Sequence, residues 1–266
     1  MTTRKIWWGN FTTKEFENLS ADKTVAIIPV AATEQHGPHL PVSTDTSIMK
    51  GMLNTIIPLI PSDLDVRMLP IQTIGKSNEH IRAPGTLTIA ATHLIHHWMD
   101  IADSIARTNI RKVIFVNSHG GNEEIMGIIA REMRVKHAML VAKTSWSRFG
   151  TPLGLFSETN AKYGIHGDDY ETSMMLHFKP HLVNMALAQD FKSHVEDAEA
   201  EFGLLRHTGT HAFGWMAGDL NAHGVVGEAS KATAQKGALA AAHQATGFMQ
   251  QLRDVHSAKL KDWLLA

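Results

Sequence analysis

The chain has 266 residues, 44% hydrophobic and 19% charged, which suits a globular protein with a sizeable core. A formal net charge of -1 and a pI near 7.0 exclude an electrostatic footprint for nucleic acid, and no Lys/Arg block marks a membrane surface. The absence of cysteine excludes disulfides, thiol catalysis and cysteine-based zinc sites, so any metal must be held by carboxylates and by some of the 17 histidines.

The first ten residues carry no apolar signal-type core, and no apolar run reaches membrane-spanning length. The expectation is a cytoplasmic, soluble chain that forms a single domain over residues 1–266 and acts on a small molecule. Near the start, Thr12 or Thr13 is placed to cap a short helix, and the Trp7–Trp8 pair reads as packing. Residues 24–31 form an almost continuous apolar run, the signature of a buried parallel strand. A loop follows that gathers Glu34, His36, His39 and Asp45, and Gly37, Pro38 and Pro41 keep it irregular.

Apolar residues at helical spacing then run from about Ser47 to Ile60, closed by Pro58 and Pro61. Residues 64–71 read as a second strand and 73–88 as a long loop, a length that is usually functional or mobile. Helix is expected over 90–107, strand over 110–117, helix over 123–135 and strand over 138–143. Residues 149–164 read as mixed loop, and a helix follows, led by Gly164-Ile-His-Gly-Asp-Asp-Tyr-Glu-Thr-Ser and running through Leu176. Residues 180–231 read as irregular, and 233–260 as a long Ala-rich helix. Strand–helix alternation of this kind predicts an α/β fold with a parallel sheet covered on both faces.

Three segments that follow strands or open helices carry the candidate chemistry: Glu34-Gln-His with Asp45, His119-Gly-Gly-Asn, and His166-Gly-Asp-Asp-Tyr-Glu. In a parallel sheet the loops at the strands' carboxyl ends share one edge, so these segments can meet in one pocket. Their imidazoles and carboxylates suit one or two divalent ions, such as zinc or manganese. Asp45 can offer one oxygen to each of two ions. Gly120 and Gly121 let backbone approach a metal or substrate closely. Taken singly, each residue also has an ordinary structural use: Asp45 or Asn122 as a helix cap, Glu171 as a solvated charge, His166 as a loop histidine bonded to Asp168 or Asp169. His80, Arg82 and Thr86 in the long loop are candidates to contact substrate. Trp146 and Phe149 read either as walls for a flat ring or as core.

At these residues the sequence resembles the creatininase (creatinine amidohydrolase) family. The matching segments are Glu34-Gln-His-Gly-Pro-His-Leu-Pro with Asp45, Ala83-Pro-Gly-Thr, Asn117-Ser-His-Gly-Gly-Asn, His166-Gly-Asp-Asp-Tyr-Glu-Thr-Ser, and the stretch beginning Gly227-Glu-Ala-Ser-Lys. The resemblance implies a three-layer α/β/α fold with a mostly parallel central sheet, a two-metal site and a homo-oligomer, usually a hexamer. It implies that Glu34, His36, Asp45 and His119 bind metal, with Asp45 bridging, and that His166 is catalytic. One position departs: Gly121 stands where creatininase carries a Glu. The missing carboxylate is then expected from Glu171, with Glu123 as second choice, and creatinine becomes doubtful as the substrate. His80, Gly120 and Gly121 are expected at the substrate. The implied activity is hydrolysis of a non-peptide C–N bond, in a cyclic amide, by metal-activated water. The ions are expected to be zinc first, with manganese or iron as alternatives. The competing expectation is metal-assisted hydrolysis, isomerisation or lyase chemistry on a sugar- or inositol-derived ketone.

Overall fold

The computed structural model of the chain describes residues 4–198 and 201–263. Its centre is a four-stranded, fully parallel sheet: β1 (Thr24–Val30), β2 (Asp65–Met68), β3 (Lys112–Asn117) and β4 (Leu140–Ser145), in the order β2-β1-β3-β4. Every residue of β1 and β3 is buried. Strand alternation divides these residues between two cores. Val25, Ile27, Ile114 and Val116 pack towards α1 (Thr44–Ile56) and α8 (Ala234–Ser257), joined by Met174 and Met175. Ala26, Ile28, Val30, Val113 and Phe115 pack towards α2 (Ala91–Ala106) and α3 (Glu123–His137). The result is the three-layer α/β/α arrangement. Each fully buried side chain of this size contributes about 1.5–3 kcal/mol relative to exposure. Pro29 is tolerated inside β1 because β2 has already ended there. Its carbonyl still accepts from Gln72 N at 2.9 Å, and only its missing N–H goes unused.

Several boundaries differ from the sequence reading for local reasons. The first helix ends at Ile56 because Pro58 opens a 3-10 turn, Ile57–Leu59. The fourth strand starts at Leu140, two residues later than expected, because Ala138 ends α3 in a left-handed conformation (φ 51°). The segment read as loop over 149–164 contains α4 (Glu158–Tyr163), capped by Ser157, whose hydroxyl accepts from Asn160 N. The next helix, α5, spans Asp169–Phe178, so His166 and Gly167 precede it rather than belong to it. The stretch read as irregular holds β5 (Asp190–Phe191), α6 (His194–Ala198), α7 (Ala217–Leu220) and β6 (Gly227–Glu228), with β5 and β6 antiparallel. A last short helix, α9, spans Leu260–Trp263. Thr12 caps its short 3-10 helix in a capping box with Glu15, as expected. Trp7 and Trp8 pack against the two opposite cores. Among the described residues, no helix is long and apolar enough to cross a membrane.

Candidate metal centre

The carboxyl ends of β1 and β3 deliver their loops to the same edge of the sheet. Glu34 and His36 follow β1, Asp45 lies in the first turn of α1, and His119 follows β3. All four are almost fully buried. Glu171 joins from the first turn of α5. Its place there is set by the helix cap, since Asp168 accepts from Glu171 N at 2.9 Å and from Asn160 Nδ2 at 2.9 Å. Gly167 N donates to Glu171 Oε2 at 2.6 Å and orients the carboxylate.

The distances form two sets joined at Asp45. Asp45 Oδ1 lies 3.3 Å from His36 Nε2, which is 3.6 Å from Glu171 Oε2. Asp45 Oδ2 lies 3.4 Å from His119 Nδ1, which is 3.1 Å from Glu34 Oε1. Backbone carbonyls fix which nitrogen of each ring carries its proton. His36 Nδ1 lies 3.0 Å from Glu34 O and must donate to it, leaving Nε2 bare. His119 Nε2 lies 2.8 Å from Lys76 O and must donate to it, leaving Nδ1 bare. Both bare nitrogens therefore point at carboxylate oxygens. Both Glu34 oxygens, Asp45 Oδ2 and His36 Nε2 are buried without a hydrogen-bond partner. Lone pairs facing lone pairs in a buried site are unfavourable until a cation stands between them. The donor set, imidazole nitrogen with carboxylate oxygen, suits zinc, manganese or iron.

Left to one another, these side chains balance charge with protons. Burial opposes charge on both rings, but Asp45, Glu171 and Glu34 push His36 up to about 10. Burial is likewise outweighed at His119, where Glu34, Asp45 and Glu79 push the ring up to about 10. Burial, Asp45 and Asp168 push Glu171 up to about 8 against the pull of His36. Burial would raise Glu34, yet the charge and hydrogen bond of His119 hold it well below the usual carboxylate range. A divalent ion in either set displaces such protons.

His166 sits beside both sets. Its ring lies between those of His36 and His80, with centroids 4.1 and 4.2 Å away. Pairing with a late segment holds it there, since Val226 N donates to His166 O at 2.9 Å. Its Nε2 lies 2.7 Å from Gln35 O and its Nδ1 lies 3.6 Å from Glu34 Oε1. Burial, then the neighbouring His36 and His80, hold this ring well below the ordinary histidine range, so it is neutral. His80 is buried, with Nε2 3.5 Å from Glu34 Oε1. Gly121 backs the His119 ring: a Cβ there would stand 2.2 Å from Lys76 O and 2.6 Å from His119 Nε2. Gly120 is open to the cleft.

Other candidates lie elsewhere. His39 turns away from the cluster, with Nε2 3.1 Å from Gly167 O and its ring stacked on Phe191. Glu123 points to β4, bonded to Ser145 and to Lys143, and among the described residues belongs to no ligand cluster. Asn122 makes no cap; it bonds Ala31 O and accepts from Lys76 N, tying the long loop to β1. Asp45 is likewise no cap, for its carboxylate faces the histidines. Thr86 is engaged by Gln35 N at 3.1 Å, and Arg82 is exposed. Trp146 is core, packed against Phe248 and Phe149. Two residues that were not expected among the ligands lie at the cluster. Glu79 Oε1 lies 3.6 Å from His119 Nε2, and Gln35 links His80 to Gly224. The cluster opens into a cleft of about 1190 Å³, whose lining also includes Arg148, Phe213 and Trp215.

A family model described as Creatininase, creatinine amidohydrolase, matches residues 9–252. The chain is 31% identical over 158 residues to a mycofactocin precursor peptide peptidase of Mycolicibacterium smegmatis, covering 59% of this chain and 58% of that protein. It therefore spans under two thirds of that relative's length. It is 28% identical over 199 residues to creatinine amidohydrolase of Pseudomonas putida, covering 69% and 75%. It is 25% identical over 247 residues to 3-dehydro-scyllo-inosose hydrolase of Thermotoga maritima, covering 87% and 77%. Among solved structures, a putative creatinine amidohydrolase from Bacteroides fragilis matches with a TM-score of 0.74 and 23% identity, over 96% of this chain and 98% of that one. A manganese creatininase (TM-score 0.70) and a zinc–zinc form of a creatininase mutant (0.69) share the fold, each at 22% identity; they cover 94% and 95% of this chain and 98% of theirs.

Proposed function

The chain belongs to the creatininase family, and from that premise we propose that it is a metal-dependent hydrolase of a non-peptide amide C–N bond, with a cyclic amide as its substrate. The observation that carries the proposal is Asp45, whose two oxygens face two different ligand sets across 3.3 and 3.4 Å. Glu34, Asp45 and His119 would hold one ion; His36, Asp45 and Glu171 would hold the other. When bound, a pair of divalent ions lowers the pKa of water towards neutrality and polarises the scissile carbonyl.

The remaining work falls to the chain. Three carboxylates against two divalent ions leave a net positive charge, which suits the oxyanion that forms as the carbonyl is attacked. His166 takes a proton at Nδ1 and returns it to the leaving nitrogen, while its Nε2 proton stays bonded to Gln35 O. His80, Gly120 and Gly121 border the space where substrate would lie. The family likeness extends the proposal to a homo-oligomer, with a hexamer as the expected form.

A second reading has its own support. The Thermotoga relative, which acts on 3-dehydro-scyllo-inosose, matches 87% of this chain. That favours hydrolysis of a sugar- or inositol-derived cyclic ketone by the same groups. Turnover of candidate cyclic amides and cyclic ketones in ¹⁸O water, with zinc or manganese supplied, separates the readings. Amide hydrolysis yields an amine and a carboxylate carrying one solvent oxygen. A carboxylate with solvent oxygen but no amine supports the second reading. A product without solvent oxygen overturns hydrolysis altogether.

A further inference from the structure

Gln35 stands between two metal-ligand candidates in sequence, yet its side chain is used elsewhere. Its amide has one possible orientation. Gly37 N donates to Oε1 at 2.9 Å, and Nε2 donates to Gly224 O at 2.6 Å. Gly224 adopts a positive φ (70°), and a Cβ there would stand 2.8 Å from Nε2, so glycine is what lets the two meet. One amide proton remains: His166 Nε2 lies 3.3 Å away but is itself the donor to Gln35 O, and His80 Nδ1 lies nearer, at 2.7 Å. His80 must accept at Nδ1 and carry its proton on Nε2, which faces Glu34 Oε1 at 3.5 Å. The backbone carbonyl of the same residue accepts from His166 Nε2 at 2.7 Å, which leaves His166 Nδ1 bare and 3.6 Å from the same Glu34 oxygen.

We propose that Gln35 is a positioning residue that fixes the tautomers of His80 and His166, so that a donor, His80 Nε2–H, and an acceptor, His166 Nδ1, stand side by side at one carboxylate. The consequence is specific. Beyond the two sets joined at Asp45, Glu34, His36 and His166 form one further group with ligand atoms within 4.8 Å of one another, and Glu34, Glu79 and His80 form another. A protonated Nε2 cannot ligate, so this last group holds no ion and His80 serves as a hydrogen-bond donor to the cleft. Only the kinetic consequence rests on the hydrolysis reading; the tautomers do not.

The test is ring-¹⁵N histidine spectroscopy of sedimented, zinc-loaded protein by magic-angle spinning, with resonances assigned from His80→Ala and His166→Ala. Both rings should show a pyridine-like Nδ1 and a pyrrole-like Nε2. In Gln35→Met, His80 should lose its single tautomer while His166, bonded to a backbone carbonyl, keeps its own. Zinc should stay at two per chain, and kcat should fall about 10–100-fold with KM little changed. If that variant fails to fold, Gln35→Glu replaces the donor with an acceptor and should move the His80 proton to Nδ1. A pyridine-like Nε2 on His80, an unchanged His80 spectrum in Gln35→Met and Gln35→Glu, or zinc bound through His80 in the native protein would overturn the proposal. Because the spectra need no substrate, failure of the hydrolysis reading alone leaves them unaffected.

Discussion

Replacing Gly121 with alanine probes how tightly the backbone is built around His119. The added Cβ would stand 2.2 Å from Lys76 O, 2.4 Å from Glu79 Oε1 and 2.6 Å from the His119 ring. The nearest of these is backbone, more than an ångström short of ordinary contact, so it cannot rotate aside. Either the loop carrying Lys76 or the histidine must move. Overpacking of this kind costs about 1–3 kcal/mol. The shift also breaks the 2.8 Å bond from His119 Nε2 to Lys76 O that turns Nδ1 towards Glu34 and Asp45. Loss of such a supporting bond weakens metal binding about 10–100-fold. Competition with a chromophoric chelator should show one zinc weakened by that factor and the other, bound through His36 and Glu171, nearly unchanged. The melting temperature should fall by roughly 2–8 °C. Gly120→Ala has open space around its Cβ and should leave both zinc affinities alone. Native zinc affinities and melting temperature in Gly121→Ala would refute this account of the loop.

His166→Ala should keep both ions and lose about 10²–10⁴-fold in turnover; unchanged turnover removes its role in proton transfer. His36 and His119, ordinarily near 6.5, are pushed up to about 10 before an ion binds, so at pH 7.5 each holds a proton that an ion must displace. Zinc affinity should therefore weaken as pH falls through the neutral range, and calorimetry in two buffers should register proton release; binding without it contradicts the scheme. Lys236 pairs with the fully buried Asp169 at the start of α5. Lys236→Met should destabilise the chain by about 2–4 kcal/mol in urea unfolding, and a change under 1 kcal/mol would mean that Ser173 suffices for that carboxylate.

The layered fold was legible because β1 and β3 are nearly continuous apolar runs and the long helices keep a 3.6-residue apolar period. The segments that escaped are short. α4 has only six residues, and β5 and β6 have two each, too few for periodicity to register. The candidate cluster could be anticipated from its placement at strand ends, and the geometry shows which of its members come together. His39 and His36 lie in the same motif, but one faces Gly167 and the other Asp45. Glu171 and Glu123 both open helices, but only Glu171 is capped so as to face His36, while Lys143 and Ser145 hold Glu123 away. Gly121 illustrates the limit most clearly. Its departure from the family pattern was visible, but the reason no side chain fits there is a backbone carbonyl 45 residues earlier in the chain. Gln35 was hidden for a similar cause: its partners His80, His166 and Gly224 come from three other segments.

The most direct test is the zinc content of Asp45→Ala beside the native protein, both saturated with zinc, dialysed and measured by plasma mass spectrometry. Because Asp45 faces both candidate ligand sets, the native chain should hold two ions and the variant none. Two ions retained by the variant, or fewer than two held by the native chain, would contradict a shared carboxylate at the centre of the site.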